Sequence, residues 1–212
     1  GYGGVVAFAA PDGSLDWSVL AMVDGRGEPI PSVFGGSLNL SARDAITQSA
    51  LIEVEPLTTS SGGVTDLTGY GGSANVVNTY NVNNSATGQT SFNAAGDLVV
   101  GTINSVQLVA LGAAGAITQS GTITAGSLHT DSVSGTTLTG NNSVNSFSAD
   151  NSDSGNITFN NAAVPLTIVA INNAAGNVAI DNTGAVVISG ALTATGTVDV
   201  TAHSPLTVTS TG

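Results

Sequence analysis

The sequence predicts an all-β protein wound as a stack of short coils, and three observations carry that prediction. Apolar residues come in pairs two positions apart, so both members of a pair face the same side of a strand. The pairs recur every six to eight positions in the clearest stretch, too closely for the hairpins of a β-sandwich. Between them lie Gly, Asn and Ser, the residues of sharp bends.

The C-terminal stretch shows the pattern best. Val178 and Ile180 are followed by Val186 and Ile188, Leu192 and Ala194, Val198 and Val200, and Leu206 and Val208. The first members fall at 178, 186, 192, 198 and 206, which leaves room for a strand of four or five residues and a tight bend. Three such strands make a loop of about twenty residues, the size of one solenoid coil. Each strand then pairs in parallel with its equivalent one coil later, about 4.8 Å away. The inward pairs form continuous apolar columns.

Composition agrees. Charged residues make up 8% of the 212 residues, against ~25% in ordinary soluble domains. Val, Ile and Thr favour strands, and good helix formers are scarce. Hydrophobic residues at 41% exclude compositional disorder. Lysine is absent, Arg26 and Arg43 are the only basic residues besides two histidines, and the formal net charge is −12. Nucleic acid is an unsuitable partner, because phosphate binding needs a basic surface; an anionic membrane surface is disfavoured for the same reason. No cysteine is present, so the fold is expected to hold through backbone ladders and packing alone.

Two textures divide the chain. Residues 1–36 hold the only Trp, Trp17, the only Met, Met22, and Pro11, Pro29 and Pro31. They read as a non-repeat flanking or capping region of loops and hairpins, with 15–23 also readable as a short helix. Residues 37–212 read as β-solenoid repeats. The pentapeptide AITQS occurs at 45–49 and again at 116–120. Each copy follows an alternating strand, which suggests a duplication spanning three or four coils. The polar stretch 141–156 is expected either to bulge out as a loop or to carry a stack of Asn and Ser. The apolar run from Val5 to Val23 is interrupted by Pro11, Asp12 and Asp16, which argues against a membrane span or signal peptide. A chain starting at Gly1 without Met reads as a mature or excised piece.

The phrases SLNLSARDAITQS, AGDLVVGTINSVQLVALGAAGAITQSGTITAGSL and AVVISGALTATGTVDVTAHSPLTV resemble filamentous-haemagglutinin-type exoproteins, the secreted partners of bacterial two-partner secretion systems. The resemblance covers about residues 37–212 and is one of degenerate repeats. It implies a right-handed parallel β-helix, export to the bacterial surface, and a role in adhesion or in a filament. The secretion signature of that family's N-terminus is not recognisable in residues 1–36.

The residues offer little for catalysis. His129 and His203 fall in different coils and read as surface or corner residues, and no Gly-x-Ser-x-Gly is present. Two Arg, no Lys and 4% aromatics are a poor set for gripping a polysaccharide, so no enzyme is expected and no cofactor. The candidate metal ligands are Asp150, Asn151 and Asp153, hard oxygen donors of the kind Ca²⁺ takes, although their spacing is not that of an EF-hand loop. Glu53 and Glu55 read as solvent-facing residues that discourage edge pairing. The Thr-x-Thr pairs at 122–124, 193–195 and 207–209 would bind ice only if stacked on one face, and their spacing breaks that array. Residues 26–28 are Arg-Gly-Glu, which supports no receptor claim.

The expected function is structural: a stiff stalk or filament segment of a secreted bacterial surface protein. It would associate end to end or continue into a longer chain, because the tail SPLTVTSTG still reads as coil strand. The alternative is a glycan- or host-surface-binding module on the same scaffold; a polysaccharide-active enzyme ranks third.

Overall fold

The computed structural model describes residues 6–10, 15–17, 36–84, 87–163 and 165–209. They form a β-solenoid of about 8 turns, with no helix among them. Every ladder between named strands is parallel.

One register row shows the winding. Ile46 sits beside Thr65, then Thr90, Val109, Leu128, Phe147, Ile168, Ile188 and Val208 in successive coils. A second row runs from Leu98 through Ile117, Thr136, Ile157 and Val178 to Val198. A third runs from Leu40 through Thr59, Val82, Ile103 and Ile123 to Asn142. The coil length expected from the apolar pairs is the one observed: Val178 pairs with Val198, and Val186 with Leu206.

The rows point inward. Leu40, Val82, Leu98, Ile103, Ile117, Ile157 and Val178 are all buried in one continuous core. Aromatic rings pair inside it: Tyr80 stacks on Phe92 with centroids 4.3 Å apart, and Phe147 on Phe159 at 4.2 Å. Each such pair adds about 0.5–1.5 kcal/mol beyond its area burial. Thr also enters the interior, because Thr59, Thr65, Thr90, Thr130 and Thr136 are buried in rows otherwise apolar. A hydroxyl there must find a partner, and Thr59 bonds the Tyr80 hydroxyl at 2.9 Å while Thr65 bonds Ser61 at 2.8 Å.

The bends explain the glycines. Gly135, Gly155 and Gly176 recur one coil apart at a single corner, with φ of 97°, 92° and 111°. A Cβ on Gly155 would lie 2.3 Å from the Ser134 carbonyl oxygen and 3.1 Å from Gly135 Cα. The left-handed backbone and the approach of the preceding coil both require glycine.

Several expectations change. Val6–Ala10 pairs in parallel with Leu38–Ala42, and Leu15–Trp17 with Ile46–Gln48, so the ladder reaches into residues 1–36. Leu15–Trp17 is strand, not the start of a helix; 18–23, Met22 and the Arg26–Glu28 tripeptide lie outside the described residues. The stretch 141–156 does not bulge. Asn142–Asn151 is a ten-residue strand paired on both sides, with one register shift between Phe147 and Ser148 on the side of Leu166–Asn173, because Asn142, Val144, Phe147, Ala149 and Asn151 turn inward. The anticipated Asn/Ser stack is present there. Asn151 Nδ2 donates to Asn173 Oδ1 at 2.7 Å, and Ser132 Oγ donates to Asn151 Oδ1 at 3.2 Å.

The AITQS repeat is a structural repeat that changes side. From Ile46 the row climbs three coils to Val109, and Ile117 begins the next strand. The offset between the copies is thus three coils plus one side, and the two copies occupy neighbouring sides of the solenoid. Their surroundings match bond for bond. Gln48 bonds Asn75, accepts from Gly69 N and donates to Ala50 O. Gln119 does the same with Asn142, Gly140 and Gly121. The stacked pairs Tyr80–Phe92 and Phe147–Phe159 repeat likewise, at a slightly shorter offset because the Tyr70–Ser73 turn has no counterpart in the second copy.

Candidate functional site

Outward side chains also fall in rows, and one row carries charge. Asn93, Gly112, Asp131, Asp150 and Asn172 are register neighbours in five successive coils. Gly112 contributes no side chain, and a Cβ there would displace the Asn93 carboxamide, whose Oδ1 it would meet at 2.3 Å. The surface sinks at this point into an open groove of about 320 Å³, lined by Ala94, Gly112, Ala113, Asp131, Asp150 and Ser152 among others. Small residues shape the floor and two carboxylates mark one part of it.

His129 stands beside them. It precedes Asp131 by two on the strand Ile123–Ser132, so both project from the same face. Its Nδ1 lies 2.8 Å from Ser148 Oγ on the next coil, and its Nε2 lies 3.1 Å from Asp131 Oδ2. The donor atoms of His129, Asp131 and Asp150 all lie within 4.8 Å of one another. His129 is half-buried and stands within a strand, whereas His203 sits at a bend, exposed, with Nε2 2.9 Å from Asp181 Oδ1. The histidines occupy different coils, as expected.

The calcium ligands expected from sequence do not assemble. Asp150 and Asp153 face solvent, but Asn151 is fully buried and points the opposite way. Its carboxamide is occupied: Oδ1 accepts from Gly135 N at 2.8 Å and from Ser132 Oγ, and Nδ2 donates to Ser154 O at 2.8 Å and to Asn173. Strand alternation is the reason, because consecutive residues in a strand cannot share a face. Sequence proximity suggested 150, 151 and 153; the ladder instead brings 150 to 131 and 129. A His-x-Asp pair on one strand was visible in the sequence, but the coil register that supplies Asp150 was not.

Other singled-out residues are resolved as follows. Glu55 is exposed as expected, whereas Glu53 is half-buried rather than solvent-facing, on a strand paired on one side with Val76–Val77. Thr124 lies between Asn104 and Ser143, Thr193 beside Asn172, and Thr207 beside Val187. No threonine array forms from these pairs. Tyr80 is fully buried, and that burial pushes its hydroxyl well above the ordinary tyrosine range, with the Thr59 hydrogen bond opposing.

Parallel coils stacked around one core make the chain a β-solenoid repeat protein. Comparison with protein-family models, curated proteins and solved structures finds no match that would narrow this to a family.

Proposed function

We propose that this chain is a structural segment: a stiff stalk or filament element of a secreted bacterial surface protein, of the filamentous-haemagglutinin style, without a catalytic role. The observation that supports it is the unbroken ladder. A parallel solenoid bends only by breaking several backbone hydrogen bonds and a continuous core at once, so it serves as a rigid spacer. The right-handed sense follows the general rule for parallel crossovers.

The C-terminal coil supports end-to-end stacking. Val198, Leu206 and Val208 continue buried rows, yet are 43%, 49% and 68% exposed. Among the described residues their strands are paired on one side only. These positions fit a further coil or a second copy of the chain. Such a head-to-tail contact does not close on itself and builds a fibre. Electron microscopy and sedimentation test this. Eight turns at about 4.8 Å per turn give a rod roughly 40 Å long. Longer rods that shorten in Val208→Lys support stacking; monomers at every concentration, with freely exchanging amides at Leu206–Val208, refute it.

A second reading, a binding module, is favoured by the groove along Gly112, Asp131 and Asp150. Screening the chain on glycan arrays, with Asp131→Asn as control, tests it; binding untouched by the substitution removes the groove from consideration.

A further inference from the structure

We propose that His129, Asp131 and Asp150 form a site for a borderline divalent cation of the Zn²⁺, Co²⁺ or Ni²⁺ kind, opening onto the groove. The site goes beyond the structural reading and does not depend on it.

Geometry carries the proposal. Around one ion, at metal–ligand distances of about 2.0–2.2 Å, neighbouring donors stand roughly 2.8–3.6 Å apart between octahedral and tetrahedral angles. Nε2 of His129 and Oδ2 of Asp131 are 3.1 Å apart. An ion would therefore take the place of the contact between them without moving the backbone. Asp150 is the direct register neighbour of Asp131, exposed and free to turn its carboxylate, and one of its oxygens lies within 4.8 Å of a ring nitrogen of His129 and of a carboxylate oxygen of Asp131. Both strands lie in the best-paired part of the ladder, in register over nine residue pairs, so the ligands stand on rigid elements.

A second observation concerns His129 itself. A metal-ligating imidazole characteristically donates its other N–H to an oxygen, which fixes the ring and its tautomer. Ser148 Oγ lies 2.8 Å from Nδ1 and can accept that proton. With the ring proton on Nδ1, the Nε2 lone pair faces Asp131 Oδ2, and an ion there would replace the proton that Nε2 otherwise donates to that carboxylate. The imidazole also selects the ion. One nitrogen and two carboxylates suit Zn²⁺, Co²⁺ or Ni²⁺, while Ca²⁺ prefers six to eight oxygens.

Electrostatics point the same way. Like charges directly opposite each other on neighbouring strands are destabilising, and Asp131 faces Asp150. Arg43, the one Arg or Lys among the described residues, is near the bend over which Gly62 stacks, several coils from this row. Three protein ligands leave coordination positions open, and both carboxylates line the groove. The ion would thus present an electrophilic face to whatever enters it.

Calorimetric titration of the intact chain with ZnCl₂ tests the site, with the visible absorption of the Co²⁺ form as a spectroscopic check. One saturable site is expected, weakened roughly tenfold or more by His129→Ala and by Asp150→Asn. Both side chains reach the surface, so circular dichroism of the metal-free variants should match the parent. His203→Ala, which removes the other His–Asp pair, should leave the affinity unchanged, and Ca²⁺ should not compete. The proposal is overturned if no saturable binding occurs, if either ligand variant binds as the parent does, if His203→Ala abolishes the site, or if Ca²⁺ displaces Co²⁺ at equal concentration.

Discussion

The substitution Asn151→Leu separates the two roles a buried asparagine plays, filling space and holding polar groups. Leu has the same branched shape with bulkier ends and none of the hydrogen bonds. In the structure Asn151 is fully buried and joins three coils: Gly135 N and Ser132 Oγ below, Ser154 O at its own bend, and Asn173 Oδ1 above. With Leu in its place Ser154 O, at an exposed bend, turns to water, but Gly135 N–H and Asn173 Oδ1 lose a buried partner. Each orphaned group costs about 1–3 kcal/mol. The added apolar side chain returns about 1–2 kcal/mol of burial. With both groups at the middle of that range the net expectation is a loss of about 2–3 kcal/mol, a large fraction of the ~5–15 kcal/mol that holds a folded domain. Equilibrium unfolding in urea measures it as a lower midpoint, provided the slope is unchanged. Hydrogen exchange then locates it: the Gly135 amide should lose protection first. A loss under about 0.5 kcal/mol, with Gly135 still protected, would refute the view that polar ladders are integral to this core.

Two further outcomes follow from particular residues. Tyr80 is neutral in the folded chain and its hydroxyl is harder to ionise there than in the unfolded chain. The unfolded state therefore releases this proton first, and stability should fall as pH rises above about 10, by at most about 1.4 kcal/mol per pH unit. Tyr80→Phe should flatten that alkaline slope in urea titrations at several pH values; an unchanged slope would exclude Tyr80 as its source. Gly155→Ala forces a left-handed alanine whose Cβ meets Ser134 O at 2.3 Å, and should cost about 2–5 kcal/mol in strain and displaced coil. Gly71→Ala, with φ of 63° and nothing within 4 Å, should cost only about 1–2 kcal/mol. Equal thermal shifts for the two would contradict the corner-contact argument.

All-β character and pitch were legible in the chain alone. Paired apolar positions such as Val178 and Ile180, then Val198 and Val200, mark the inward face and the coil length, because a strand's alternation is a local property that survives any tertiary arrangement. The absence of Lys and the abundance of Thr, Asn and Gly likewise set a polar surface with few charges, nearly all of them acidic. The register between coils came only with folding. Coil lengths vary: the step from Thr65 to its partner Thr90 is longer than the step from Val109 to Leu128. No local pattern says which residue of one coil will lie over which residue of the next. For that reason sequence proximity grouped Asp150 with Asn151 and Asp153, whereas stacking turned Asn151 into the core and set Asp150 against Asp131 and His129. The same cause hid the strand Val6–Ala10. Its partner Leu38–Ala42 lies well beyond one ordinary coil along the chain, farther than the repeat could signal, and only the completed ladder shows it.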